Sequence, residues 1–182
     1  MARIIQAAAI VLLTAILAGC FGAAPIKPVS KPEAAAAFGN ISLPNNMYIT
    51  NVMLYKVGEV YAPPFKSPPH SHTYTNGNFF FENLEPGKYF LVGFMSGQDA
   101  FYFNYRGIEE EEFIKEVAVD IKPGATVYLG SYLVTGIERN LLKSDTFEIK
   151  RSNTPDKKTI LKHLQEAAKG TGWDVRFASA VK

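Results

Sequence analysis

The chain has 182 residues, enough for one ordinary domain with extensions. Nineteen Lys and Arg against seventeen Asp and Glu leave a net charge of +2, so no global field recruits nucleic acid or an acidic substrate. A hydrophobic share of 47% and one cysteine exclude a chain disordered throughout and an intrachain disulfide.

The first segment reads as an export signal. Met1-Ala2-Arg3 is a short positive start, and residues 4–17 are apolar except for Gln6 and Thr14. Small residues and Cys20 follow, in the order of a cleavable secretory signal over 1–19. The apolar run is shorter than the ~20 residues of a membrane span. Leu17-Ala18-Gly19-Cys20 resembles the bacterial lipobox. That resemblance implies a lipoprotein acylated, for instance with palmitate, at Cys20, which becomes the first mature residue and anchors the chain to a membrane. Phe21 stands where an aspartate would imply inner-membrane retention, so the implied location is the cell envelope, at the outer membrane facing the periplasm or cell surface.

Residues 20–37 carry Pro25, Pro28 and Pro32 and then four alanines. Proline favours extended polyproline II, about 3.1 Å per residue. This predicts an unstructured tether lifting a domain off the membrane, with the folded part at 38–152 and 153–182.

Strand patterns follow at 38–43 and 47–57, with a proline-rich loop or edge at 62–72. Two further strands, 71–81 and 88–95, flank Glu85-Pro86-Gly87-Lys88, which suits a type II turn with Gly87 at positive φ, and so reads as a hairpin. Strands are also expected at 100–105, 113–121, 126–135 and 147–150, with a second turn at Pro123-Gly124. The spacing of Gly77, Phe79, Phe81, Leu84, Pro86, Gly87, Tyr89 and Leu91 resembles the prealbumin-like, or carboxypeptidase regulatory-like, domains. The resemblance implies a mainly β fold: an antiparallel β-sandwich of about seven strands. It is nearly silent on function, because that family serves as binding and structural modules.

Thr154-Pro155-Asp156 reads as a helix start, with Thr154 as N-cap, and Ile160, Leu164 and Ala167 form an apolar stripe widened by Leu161 and Ala168. Trp173, Val175 and Phe177 alternate as in a last strand or an apolar tail. Alternation sets Phe80, Phe90, Val92 and Phe94 opposite Phe79, Phe81, Tyr89 and Leu91. The first set then needs a cover, for which the helix and Trp173 are available.

Three groups are candidate sites. His70 and His72 are weak metal candidates, because zinc wants three or four ligands and the third is not apparent. Glu109 to Glu112 would attract calcium or a basic partner, but lacks the spacing of a calcium loop and reads as a solvated turn. Tyr102, Tyr105 and Arg106, beside Phe101 and Phe103, form a possible ligand face for stacking sugars. Neither a nucleophile elbow nor a phosphate loop is found. The expectation is no cofactor, no metal, no nucleic acid and no catalysis. It is a binding or accessory module of the envelope with a protein partner there, or alternatively one that binds carbohydrate or peptidoglycan through the aromatic face.

Overall fold

The computed structural model describes residues 25–61, 66–103, 110–138 and 146–181. It is mainly β, with two sheets and three helices. In chain order the elements are β1 (Ala35–Ser42), β2 (Asn51–Lys56), β3 (Ser71–Thr73), β4 (Asn78–Leu84), β5 (Gly87–Ser96) and β6 (Asp99–Tyr102). Then come α1 (Glu110–Val117), β7 (Val119–Ile121), β8 (Thr126–Glu138), β9 (Thr146–Ser152), α2 (Lys157–Ala167) and α3 (Trp173–Ala180).

The five-stranded sheet runs β3-β4-β1-β8-β9. Its β1 and β8 are parallel and its other pairs antiparallel, so the sheet is mixed rather than antiparallel as expected. In the other sheet β5 pairs β2 along one edge, while β6 and β7 share the opposite edge end to end. Nine strands are described against the seven expected.

The two sheets share a core. Ala35, Ala37, Ile41, Phe79 and Phe81 come from one, and Val52, Leu54, Leu91, Phe94 and Ile121 from the other. Ser71 ties their edges: its Oγ accepts the Val52 N–H at 2.8 Å and donates to Asn51 Oδ1 at 2.7 Å. A second core lies on the outer face of the larger sheet. There Ala34, Ala36, Phe38 and Phe80 meet Ile160, Leu161 and Leu164 of α2, Ala168 after it, and Trp173 and Phe177 of α3.

Glu85-Pro86-Gly87 does not close a hairpin. β4 pairs β1 and β3, whereas β5 lies in the other sheet, so the segment is an arch between sheets. Gly87 has φ 152°, far from the value near +80° of a type II turn. Tyr89 instead latches the arch, donating from its hydroxyl to the Glu85 carbonyl at 3.0 Å. At the second turn Gly124 has φ 68° and Ala125 N–H bonds the Lys122 carbonyl at 3.1 Å, matching the expected geometry. It too joins the two sheets, from β7 to β8. The true hairpin in this region is β5–β6, around Gly97.

The four-residue face expected on β4 and β5 is split. Phe80 packs under the helices, Phe90 meets Tyr55 edge-on at 6.3 Å, and Phe94 lies in the inter-sheet core. The cause is a bulge: Met53 pairs Gly93 but Leu54 pairs Leu91, so Val92 is the extra residue that shifts the register against β2. One extra residue flips every later side chain to the other face, so Phe94 joins Leu91.

Residues 113–121 are not one strand. Helix α1 runs to Val117 and β7 occupies only three residues. At the C-terminus the helix N-cap is Asp156, not Thr154: its carboxylate accepts the Thr159 N–H at 2.7 Å, while the Pro155 carbonyl takes the Ser131 hydroxyl at 2.7 Å. Ala167 is exposed and Ala168 is buried, one position round the helix. Trp173 and Phe177 are spaced i, i+4 on α3 and are both fully buried, whereas Val175 is 66% exposed, so this is neither a strand nor a loose tail.

The expected tether is largely absent from the described residues. The alanines lie in and just before β1, all with 0% exposure. Residues 25–34 form a strap across the end of β4 and along α3. A second bulge builds this contact: Ala35 pairs Leu84 and Ala37 pairs Phe81, so one residue of β1 faces both Glu82 and Asn83. Asn83 takes φ 53°, a conformation asparagine tolerates better than most residues. The Glu82 carboxylate accepts the Lys27 N–H at 2.7 Å. The Asn83 amide accepts from Ser30 N–H at 2.8 Å and donates to the Pro28 carbonyl at 3.1 Å. Trp173 Nε1 donates to the Lys27 carbonyl at 3.1 Å, and the Arg176 guanidinium bonds the carbonyls of Ala34 and Pro32.

Leu164→Ala removes a fully buried side chain from the second core and is expected to destabilise by about 2–5 kcal/mol. A urea denaturation curve read by Trp173 fluorescence measures it. An unchanged midpoint would mean that α2 carries none of the stability of that face.

Candidate functional site

Of the expected site residues, Tyr102, His70 and His72 fall within the described stretches. Tyr102 is 58% exposed on β6, but Tyr105 and Arg106 lie outside the described residues, as does Cys20. Phe101 is core, stacked on Phe94 at 5.0 Å. Of the acidic run, Glu111 and Glu112 are exposed on α1 and Glu109 lies outside the described residues.

His70 and His72 do come together, edge to face with centroids 5.5 Å apart. His70 is exposed just before β3. His72 is buried on β3, stacked on its cross-strand partner Phe80 at 4.8 Å. Its Nε2 lies 3.4 Å from Glu82 Oε1, within reach of a charge but without a hydrogen-bond partner. The other Glu82 oxygen holds the strap. Burial pushes the His72 imidazole below its usual range, outweighing the opposing pull of Glu82, while the His70 and Lys27 charges push it further down. Among the described residues no three His, Cys, Asp or Glu side chains gather as a metal site.

One apolar-walled hollow among the described residues was not anticipated. A cleft of about 290 Å³ opens where the sheets part, between β9 and β8 on one side and β5, β7 and the end of α1 on the other. Its walls include Leu91, Phe103, Val119, Leu129 and Ile149. Tyr132 and Arg151, directly paired across β8 and β9, supply polar groups. The Tyr132 hydroxyl donates to the Leu129 carbonyl at 2.8 Å, and burial raises its pKa, so it stays neutral. Arg151 is exposed at the mouth and makes no ion pair among the described residues. An apolar hollow with one uncompensated cation suits an amphipathic anion, and its volume is at the lower bound of small-molecule sites, ~300 Å³. One signal for it was legible: period-two alternation sets Arg151 on the face of Phe147 and Ile149, and both of those pack on the core.

No family model matches the chain, and neither a curated protein nor a solved structure matches it. Among the described residues no helix is long and apolar enough to cross a membrane.

Buried His72 and half-buried His163 give a pH dependence. His163 meets Tyr74 edge-on at 4.7 Å, and burial lowers its pKa, as at His72. Both therefore take up protons more readily in the unfolded chain. Their contribution is complete above the unfolded value of about 6.5 and is lost as pH falls through the lower folded values. The urea midpoint is expected to drop between pH 7.5 and pH 5.5, and His72→Phe, which keeps the stack on Phe80, should flatten that drop. An equal drop in the variant would show that His72 does not contribute to it.

Proposed function

We propose that this protein is a lipid-anchored lipoprotein of the bacterial envelope, acylated at Cys20, whose folded part is a prealbumin-like β-sandwich acting as a non-catalytic binding module. The lipobox-like Leu17-Ala18-Gly19-Cys20 supports the anchor, and the strand pattern around Pro86-Gly87 together with two sheets sharing one core supports the fold family.

The observation that carries the binding reading is the cleft with Arg151 at its mouth. Apolar walls bury a ligand's hydrocarbon, and the guanidinium offers paired donors to a carboxylate. Its described ionisable lining is Arg151 with the phenols of Tyr89 and Tyr132. Both hydroxyls donate to backbone carbonyls, which favours holding a ligand over transforming it. The ligand class is a small amphipathic anion. Phe21 after the cysteine favours the outer membrane.

Two experiments test this. Cells fed a palmitate analogue should label the wild-type chain and not Cys20→Ser, and the variant should move to the soluble fraction. An unlabelled, soluble wild type would overturn the anchor. The soluble Cys20→Ser chain should bind octanoate in a calorimetric titration, about tenfold more weakly after Arg151→Gln, while octanol binding stays unchanged. Absence of octanoate binding at millimolar concentration would refute the cleft as the site.

A further inference from the structure

The strap changes what an anchor at Cys20 would do. The described chain begins at Pro25, five peptide steps from Cys20. Even fully extended, five steps reach no more than about 18 Å. A free polyproline tether running on to residue 37 would reach roughly 50 Å.

The strap is held at separate points along its length. The Glu82 carboxylate and the Asn83 amide bind Lys27, Pro28 and Ser30, and the Val29 N–H donates to the Thr171 carbonyl at 3.1 Å. Ile26 and Val29 are half-buried against the cluster that contains Trp173. Freeing the strap would break these bonds and expose apolar surface together, so the anchor point stays close to the body.

The surface around the strap suits a bilayer. Lys27, Lys31 and Lys169 are exposed and make no ion pair among the described residues. The nearby Asp174 carboxylate is engaged by the amides of Gly170 and Gly172. Glu33 is the one acid of the strap itself, exposed at its far end, where its carbonyl accepts the Gly124 N–H. Unpaired lysines beside a short acylated leader meet lipid phosphates and anionic headgroups.

We propose that the domain is not lifted off the membrane but seated on it, with the face formed by the strap's first residues and the start of α3 against the lipid headgroups. This rests on acylation of Cys20.

Trp173 is the chain's single tryptophan and lies beside Lys27, so it reports on this face. The acylated full-length protein would be reconstituted into phosphatidylcholine vesicles doped with a dansyl-headgroup lipid, and energy transfer from Trp173 measured. The reference is a variant with a stiff twenty-residue proline-rich spacer after Ala24, which adds about 60 Å. Native transfer is expected to exceed the reference at least threefold. Native transfer as weak as in the spacer variant, with acyl label present on both, would overturn the seated arrangement alone. Absence of acyl label would overturn the anchor and the seating together.

Discussion

Burial of β1 on both faces is the constraint on which the rest of the molecule depends. Ala34 through Phe38 have no exposed surface, and β1 lies between β4 and β8 with a sheet on one side and two helices on the other. Small side chains make that possible. Ala34, Ala36 and Phe38 face the helices, while Ala35 and Ala37 face the second sheet. A Cβ on Gly39 would lie 2.6 Å from the Gly130 carbonyl oxygen, so larger residues at this level would push β8 away. Alanine is a poor strand former by propensity, yet here the close approach of two layers outweighs it.

The same strand explains the strap. Because β1 begins deep inside, the chain must enter across the sheet's end, and the bulge at Glu82 and Asn83 turns two side chains toward it. Trp173 and Arg176 complete the grip from α3, with the guanidinium stacked 5.0 Å from the indole ring. One helix thus covers the outer face and pins the entering chain. The strap and the C-terminal helix are hydrogen-bonded to each other, although 146 positions separate Lys27 from Trp173.

The cleft follows from how the sheets part. Their shared core is closed by large aromatics near Phe94, Phe101 and Phe147, whose rings meet at 5.0 to 5.7 Å. Towards β7, a strand of only three residues, the layers separate and Arg151 takes the place of an apolar side chain. A cation on the inward face of an edge strand is costly to enclose, and it stands at the opening.

Local sequence determined what local physics controls. Alternation located most strands, the i, i+4 stripe with Asp156 nearby located α2, and Pro123-Gly124 located a turn, because dihedral preference and periodicity act over a few residues. It also marked Tyr102, His70 and His72 as residue types able to bind, without showing that the two histidines would meet edge to face. What the tertiary structure decided was everything set by partners distant in sequence. That includes which sheet each strand joined, the parallel pairing of β1 with β8, the two bulges that moved Phe94 inward and aimed Asn83 at the strap, and the conversion of an alanine run into the central strand. It also includes the pairing of Arg151 with Tyr132 at the mouth of the cleft. Burial and register depend on what arrives from elsewhere in the chain, and the periodicity of a single segment carries no information about that.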